Sequence, residues 1–225
     1  FIFTMQNWYP FLKQYNNEDE IKNKIKASIE LSIKAELNKI TPTQVNLSNK
    51  QFLEDCLEYN SPIKCIKMAA QTGWYWFDDH ERTDLLTRLI QKNITIQVIG
   101  NSASAIENIA VTMRDPDPQK QLRYTGFNNT LAKWHEYEKI YPNLELRVSD
   151  YPVLRKTLIV EFEDNFSRVL IRDYAYGSPA DEFSPHTQMS CNDLNYNYYY
   201  VEFEFLWNEA KTYEQWCELE KTIQR

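Results

Sequence analysis

The chain has 225 residues, of which 43% are hydrophobic and 14% aromatic, a composition that supports a folded core and excludes an intrinsically disordered chain. Its net charge is −7 at pH 7 and its isoelectric point is about 5.1. Basic and acidic residues alternate along the sequence, so no surface for duplex nucleic acid is indicated. The four cysteines form no C-x-x-C or Cys/His cluster. This pattern favours reduced thiols and a cytoplasmic protein, and it predicts no metal site.

Residues 1–60 are predicted to form an N-terminal helical segment that acts as a linker or in oligomerisation. Within it, residues 17–40 favour one long helix, because Asn17 is a suitable N-cap and isoleucines recur every four residues from Ile21 to Ile33. This helix could form a homodimer or lie along its own domain. The aromatic stretch from Phe1 to Leu12 is typical of a membrane interface. It could therefore follow a membrane segment that precedes residue 1, or it could pack on the domain.

Residues 61–225 are predicted to form an α/β domain, preceded by a short helix near residues 49–59. The domain begins with a strand over residues 63–70, followed by a helix and a second strand over residues 94–99. Two strands joined by a helix of this length indicate a βαβ unit. Each strand ends in a turn that contains glycine and small polar residues. Because α/β proteins bind ligands at the carboxyl ends of their strands, these two turns are the predicted binding region.

The later elements predict a mixed sheet flanked by helices. Helices are expected over residues 103–113 and 129–141, and a third strand over residues 144–148. Residues 158–162 and 168–174 are rich in β-branched and aromatic side chains and favour an antiparallel hairpin. A proline-rich loop over residues 177–186 follows. Residues 198–222 favour one long terminal helix, although the spacing of residues 198–205 also fits a strand.

The two turns contain six candidate ligand-binding residues. A helix N-terminus with serine hydroxyls can bind an anion, and an indole ring can stack on a nucleobase. The serines could instead cap the helix, and the aromatic side chains could instead cover the sheet. The segment from Gly100 to Ser104 is close to the G-x-S-x-G motif of serine hydrolases, but Ser104 replaces its last glycine. The candidates are Gln71, Thr72 and Trp74 in the first turn and Asn101, Ser102 and Ser104 in the second.

From Ile63 onward, about 160 residues, the order of the elements is similar to that of the phospholipase D-like fold. The order is strand, T-G-W turn, helix, strand, helices, strand, β-hairpin and a final helix with the pattern F-x-x-L-W-x-x-A from Phe203 to Ala210. The chain resembles in particular the degenerate forms found in bacterial regulatory and sensory proteins. The resemblance implies a mixed sheet with a cleft at its strand ends.

The catalytic motif of that family, H-x-K-x4-D, is absent from the sequence. If Asp164 corresponds to the aspartate of the motif, Thr157 and Ile159 stand at the histidine and lysine positions. We therefore expect a non-catalytic ligand-sensing or regulatory domain without a cofactor, which binds a nucleotide-like or other anionic small molecule. The alternative is an enzyme that cleaves nucleotides or glycosidic bonds with carboxylates such as Asp78 or Glu107.

Overall fold

The computed structural model describes residues 43–45, 47–112, 127–173 and 186–223. Within these ranges, eight strands form one mixed sheet in the order β1-β7-β6-β5-β2-β3-β4-β8. The strands are β1 (Thr43–Val45), β2 (Ile63–Ala69), β3 (Thr95–Asn101), β4 (Leu144–Ser149), β5 (Arg155–Phe162), β6 (Ser167–Asp173), β7 (His186–Ser190) and β8 (Lys211–Thr212). The helices are α1 (Asn49–Leu57), α2 (His80–Gln91), α3 (Ala103–Thr112), α4 (Phe127–Ile140), α5 (Tyr196–Glu209) and α6 (Tyr213–Ile223), and a short 3-10 helix covers Trp74–Trp76.

The centre of the sheet contains the predicted βαβ unit. Strands β2, β3 and β4 run parallel, with Ile96 of β3 opposite Ile66 of β2 on one side and Leu144 of β4 on the other. Strand β5 is antiparallel to β2 and forms a hairpin with β6. The carboxyl ends of β2, β3 and β4 and the amino end of β5 therefore meet at one edge. The prediction of an α/β protein with a mixed sheet flanked by helices is confirmed.

Two hydrophobic cores cover the two faces of the sheet. The first contains apolar side chains of α1, α2, α3 and α4, among them Phe52, Leu86, Ile106 and Trp134. The second lies under α5 and contains Tyr196, Phe203, Leu206 and Trp207 of that helix. Alternate residues of β5 contribute to different cores: Leu158 to the first and Ile159 to the second. Helix α5 is therefore the helix that covers the second face of the sheet in the described residues.

The chain divides into two compact units, Phe1–Thr41 and Pro42–Arg225. Residues 43–60, which the sequence analysis assigned to the N-terminal segment, belong to the α/β unit: β1 pairs with β7, and α1 packs in the first core. A capping box between Ser48 and Gln51 starts α1. The predicted helix over residues 17–40 and the aromatic stretch before it lie outside the described residues. Among the described residues, no helix is both long and apolar enough to cross a membrane.

The prediction of one long terminal helix is wrong, because the first helix of this segment ends at Ala210. Helix α5 ends there with Ala210 in an extended conformation, and the next two residues form β8, which pairs with β4. Helix α6 then begins with a reciprocal pair of hydrogen bonds: Thr212 N–H donates to Gln215 Oε1 at 3.1 Å, and Gln215 N–H donates to Thr212 Oγ1 at 3.3 Å. The first part of the segment is helical, so the strand alternative for residues 198–205 is also wrong.

Strand β7 was not predicted. It covers His186–Ser190, whose sequence HTQMS contains a single large apolar side chain. Met189 is buried in the second core, and the strand pairs on both sides, with β6 and with β1. Because the neighbouring strands supply this pairing, the local sequence carries almost no signal for it.

Candidate functional site

The two turns predicted to bind a ligand lie side by side at one edge of the sheet. The backbone N–H of Asn101 donates to the carbonyl oxygen of Gln71 at 2.7 Å, and the N–H of Ala70 donates to Ile99 at 3.1 Å. These hydrogen bonds extend the parallel pairing of β2 and β3 into the turns. The structure therefore brings the two groups of candidate residues together, as the βαβ interpretation required.

The first turn buries one candidate residue and exposes another. Gly73 has a φ of +72°, and a side chain at this position would lie 2.8 Å from Nε1 of Trp134. The Thr72 side chain is buried, and its Oγ1 accepts from the N–H of Trp74 at 3.3 Å. The Trp74 side chain remains 40% exposed, while Trp76, two residues later, belongs to the first core. Of the aromatic residues of this turn, Trp74 is the one that a ligand can reach most easily.

In the second turn, Ser102 caps helix α3. The residue is fully buried, its Oγ accepts from the N–H of Ala105 at 3.3 Å, and its own N–H donates to Ser149 at 2.9 Å. The hydroxyl of Ser104, an exposed residue, lies 3.0 Å from that of Ser102. The capping interpretation of these serines therefore describes the structure, and a ligand cannot reach Ser102 in this conformation.

A carboxylate already lies beside the start of α3. Burial alone would raise the pKa of Asp150, but hydrogen bonds from Lys211 and Ser102 outweigh it and lower that pKa. Asp150 therefore stays ionised at neutral pH and is ion-paired with Lys211. Because Ser102 is fully buried and its hydroxyl is used in hydrogen bonds within the protein, the anion site predicted there is not supported.

Asn101, another candidate, has a structural role. The side chain is fully buried: Nδ2 donates to the carbonyl oxygens of Tyr151 at 2.8 Å and Ser149 at 3.4 Å, and Oδ1 accepts from the N–H of Val153 at 3.0 Å. These bonds use the donors and an acceptor of the amide to hold the connection between β4 and β5 against the end of β3. Of the six candidates, Gln71, Trp74 and Ser104 remain partly or largely exposed.

The edge also contains cations that the sequence analysis missed. The Lys156 ammonium lies 4.1 Å from the centre of the Tyr75 ring, and the Arg82 guanidinium lies 4.0 Å from the same centre. On the neighbouring strand β6, Arg172 stands directly opposite Lys156 in the strand register, and it is 4% exposed. The sequence feature that could have indicated these cations is the basic pair Arg155-Lys156, at the start of a strand that runs antiparallel to β2. The edge therefore contains cations as well as the carboxylates of Asp78 and Asp150.

Two further exposed apolar side chains lie at the same edge. Tyr151 and Leu154 belong to the connection between β4 and β5, and they are 47% and 52% exposed. Exposed aromatic rings beside cations are typical of sites that bind flat, negatively charged molecules. We call this region the strand-end surface and define it by six residues: Gln71, Trp74, Ser104, Tyr151, Leu154 and Lys156.

A narrow cavity with room for about one water molecule lies beneath the strand-end surface. Its lining includes Gly73, Trp134 and three polar residues, Asn49, Lys156 and Thr157. The Trp134 indole N–H is buried and has no hydrogen-bond partner among the described residues. A buried donor without a partner costs about 1–3 kcal/mol, which an ordered water molecule can offset.

The second face of the sheet holds a buried charged cluster that was not predicted. The Lys67 ammonium on β2 donates to Glu161 at 3.0 Å on β5, and to Tyr200 at 2.9 Å and Glu204 at 2.7 Å on α5. Burial alone would lower the pKa of Lys67, but the hydrogen bonds to Glu204, Tyr200 and Glu161 outweigh it and raise that pKa above the ordinary 10.5. This cluster fixes α5 on the sheet.

His135, Glu138 and Glu214 form a second cluster that connects helices α4 and α6. His135 Nδ1 lies 2.9 Å from Glu138, and Nε2 lies 3.5 Å from Glu214. The second oxygen of Glu138 accepts from the N–H of Leu146 on β4 at 2.9 Å. Each ring nitrogen thus faces a different carboxylate, a geometry that suits hydrogen bonding better than coordination of one ion. We interpret the group as a clamp that holds α4 against β4 and α6.

The expected resemblance to the phospholipase D-like fold would place Thr157 and Ile159 at the histidine and lysine positions of its motif. Thr157 and Ile159 are both buried on β5. Asp164 lies in the hairpin turn, where its Oδ1 accepts from the N–H of Phe166 at 3.1 Å. Asp78, proposed in the enzyme alternative, is ion-paired with Arg82 at 2.5 Å.

The fold and the strand-end surface together define an α/β protein with a mixed sheet and a partly apolar, partly cationic edge. Neither a protein-family model nor a curated protein sequence matches this chain.

Proposed function

We propose that this chain is a non-catalytic ligand-sensing domain of the phospholipase D-like type, which binds a small anionic ligand with a flat ring at the strand-end surface. A nucleotide has this chemistry. The observation that carries the proposal is the exposed indole of Trp74, which directly precedes the Tyr75 ring flanked by Lys156 and Arg82. A flat ring can stack on Trp74, while Lys156 provides a charge for a phosphate or carboxylate.

Electrostatics support an anionic ligand at this edge. Lys156 and Arg172 occupy opposite positions at the open end of the β5–β6 hairpin, whereas Arg155 lies opposite Asp173 and contacts Glu202 of α5. Carboxylates such as Asp78 and Asp150 also lie at this edge, so the support comes from the position of Lys156 beside the Tyr75 ring. The net charge of −7 argues against duplex nucleic acid as the ligand.

The order of the elements supports the phospholipase D-like assignment. Strand β2, the turn at Gly73, helix α2, strand β3, helices α3 and α4, strand β4 and the β5–β6 hairpin follow one another as in the resemblance, and helix α5 comes after the additional strand β7. The absence of H-x-K from the sequence, and the buried Thr157 and Ile159 in its place, support a binding role over catalysis. The proposal extends to the N-terminal segment, which would connect this domain to another module or to a membrane.

Calorimetric titration of the purified chain with AMP, ATP and NAD tests the proposal. We expect saturable binding of at least one nucleotide without turnover. Trp74→Ala should lower its affinity about 5- to 100-fold, the range measured for loss of a base-stacking aromatic ring. Lys156→Gln should lower the affinity about tenfold or more and weaken its dependence on salt.

Two matched variants serve as controls. Lys64→Gln removes an exposed lysine at the opposite end of β2, and Leu219→Ala removes a 44% exposed apolar side chain on α6. Neither should change the affinity. Absence of binding by all three nucleotides, or equal losses in the control variants, would contradict the proposed site. Consumption of a nucleotide, or phosphodiesterase activity that disappears in His186→Ala, would favour an enzyme instead.

A further inference from the structure

Helix α5 is apolar on both of its faces. One face packs in the second core through Tyr196, Phe203, Leu206 and Trp207. The opposite face, with the preceding turn, carries four large apolar side chains that remain exposed. A row of exposed apolar side chains on one helix is a candidate surface for contact with another protein chain. The exposed side chains, which we call the α5 stripe, are Leu194 (66%), Tyr198 (59%), Val201 (63%) and Phe205 (51%).

The spacing of the α5 stripe suits pairing with another helix. Its residues follow one another at intervals of four, three and four, which is the spacing of a helix–helix seam. Val201 lies near its centre, with Tyr198 three residues before it and Phe205 four residues after it. In an antiparallel pair of two such helices centred on Val201, the two Val201 side chains meet at the twofold axis, and Tyr198 of one copy lies near Phe205 of the other. The stripe is therefore complementary to itself, as a twofold-symmetric interface requires.

The charges beside the α5 stripe are neutralised within each copy. Glu204 is ion-paired with Lys67 at 2.7 Å, and Glu202 lies 3.6 Å from Arg155. Two copies of a chain with a net charge of −7 repel each other unless the contact surface is locally neutral. Because these carboxylates are paired with cations of the sheet, two α5 helices can approach without bringing unpaired glutamates together.

The available area matches a weak and reversible dimer. Tyr151 extends the stripe, since its ring lies 5.4 Å from that of Phe205. A fully covered aromatic side chain buries about 150–250 Å², so each half-exposed ring of this surface offers about 100 Å². With Val201 and Leu194 the total is roughly 400–500 Å² per copy, which lies at the lower end of specific, transient interfaces.

We propose that a second copy of this chain docks antiparallel on the α5 stripe, with Val201 on the twofold axis. The dimer forms and dissociates reversibly, with a dissociation constant on the order of 10 μM. This interface involves the folded α/β unit and does not depend on the strand-end surface binding a ligand.

Sedimentation equilibrium of the full chain tests the proposal. Concentrations between about 5 and 300 μM cover the range in which so small an interface should dissociate. The mean mass should rise from 26.9 kDa toward twice that value. Val201→Glu and Val201→Lys should each stay monomeric, because like charges then meet on the axis. An equimolar mixture of the two variants should regain the dimer, because opposite charges meet there instead.

Leu219→Glu is the control, since it adds the same charge on a 44% exposed position of α6. It should dimerise like the unchanged protein, and circular dichroism should show that all variants are folded. A wild-type chain that stays monomeric at the highest concentration would overturn the proposal. So would a Val201→Glu variant that dimerises normally, or a mixture of the Glu and Lys variants that does not recover.

Discussion

The backbone N–H of Asn101 lies 2.7 Å from the carbonyl oxygen of Gln71, and this hydrogen bond joins the two turns that follow the parallel strands β2 and β3. The side chain of the same asparagine holds the connection from β4 to β5 through the backbone of Ser149, Tyr151 and Val153. One residue thus fixes three segments of the strand-end surface relative to one another.

Asn101→Ala should therefore destabilise the whole domain. The substitution removes three buried hydrogen bonds and leaves the N–H of Val153 without its acceptor, so we expect a loss of about 2–4 kcal/mol in the free energy of unfolding. Urea denaturation followed by circular dichroism measures this loss. Asn192→Ala, at an exposed turn position, is the matched control and should cost less than about 0.5 kcal/mol. Equal stability of the two variants would contradict the structural role of Asn101.

Lys67→Met should leave two carboxylates, Glu161 of β5 and Glu204 of α5, close to each other without the cation that binds both. We expect a loss of about 1–3 kcal/mol at pH 7, because three hydrogen bonds are lost, while Glu161 and Glu204, whose side chains are 22% and 37% exposed, stay in contact with water. The triple variant Lys67→Met, Glu161→Gln, Glu204→Gln should regain part of the loss. Urea denaturation at pH 7 measures both changes, and a triple variant no more stable than Lys67→Met would contradict this role of the two carboxylates.

The wild-type protein should lose stability in alkali through the same lysine. The pKa of Lys67 is raised in the folded state, so the folded protein holds this proton more tightly than the unfolded chain does. The resulting stabilisation is complete below the unfolded value of 10.5 and is lost as the pH rises above it. The free energy of unfolding should therefore decrease more steeply above pH 10 in the wild type than in Lys67→Met. Parallel profiles for the two proteins would exclude this contribution.

Gly73→Ala should destabilise the protein more than Gly100→Ala. Alanine at position 73 would adopt an unfavourable φ of +72° and would place its Cβ 2.8 Å from the stiff indole of Trp134. At position 100 a Cβ would lie 2.6 Å from Cδ2 of the buried Leu131, so overpacking destabilises that variant too, but the backbone there has no positive φ. We expect a cost of about 2 kcal/mol or more at position 73, together with a changed near-ultraviolet circular dichroism spectrum. Similar thermal midpoints for the two variants would contradict the fit of Trp134 against Gly73.

The four cysteines should divide into two classes by reactivity. Burial raises the pKa of Cys56 and of Cys65 to about 12. At pH 8 roughly one such thiol in 10,000 is ionised, and access to it is blocked as well. Cys191 and Cys217 are half-buried, so two thiols should react promptly with a disulfide reagent in the native protein, and four should react in urea. Prompt reaction of all four in the native protein would contradict this packing.

Local patterns in the sequence were sufficient to predict the centre of the fold. Strands β2 and β3, the helix between them and the β5–β6 hairpin follow from periodicity and turn residues, which act over a few positions. The turn at Gly73 was found because glycine allows the left-handed conformation there. The break at Ala210 was missed, although a capping box from Thr212 to Gln215 was present as a signal. The apolar pattern that continues across the break obscured it.

The candidate site was predicted less completely, because the role of a polar residue depends on its partners. Trp74 is exposed as the ligand-binding interpretation needs, whereas Ser102 and Asn101 use their hydrogen-bonding groups within the protein. The ion pairs of Lys67 could not be predicted, since a lysine within an apolar strand forms them only when the fold brings Glu161 and Glu204 close to it.

By itself, the sequence determined which segments are helices and strands in the βαβ unit and at which turns they end. It did so because hydrophobic periodicity and glycine act locally. Only the tertiary structure decided the order of the strands in the sheet, the partners of the buried polar groups and the side chains that stay exposed at the strand-end surface and on α5. Those properties depend on contacts between residues far apart in the chain, such as Lys67 with Glu204, which no local pattern encodes.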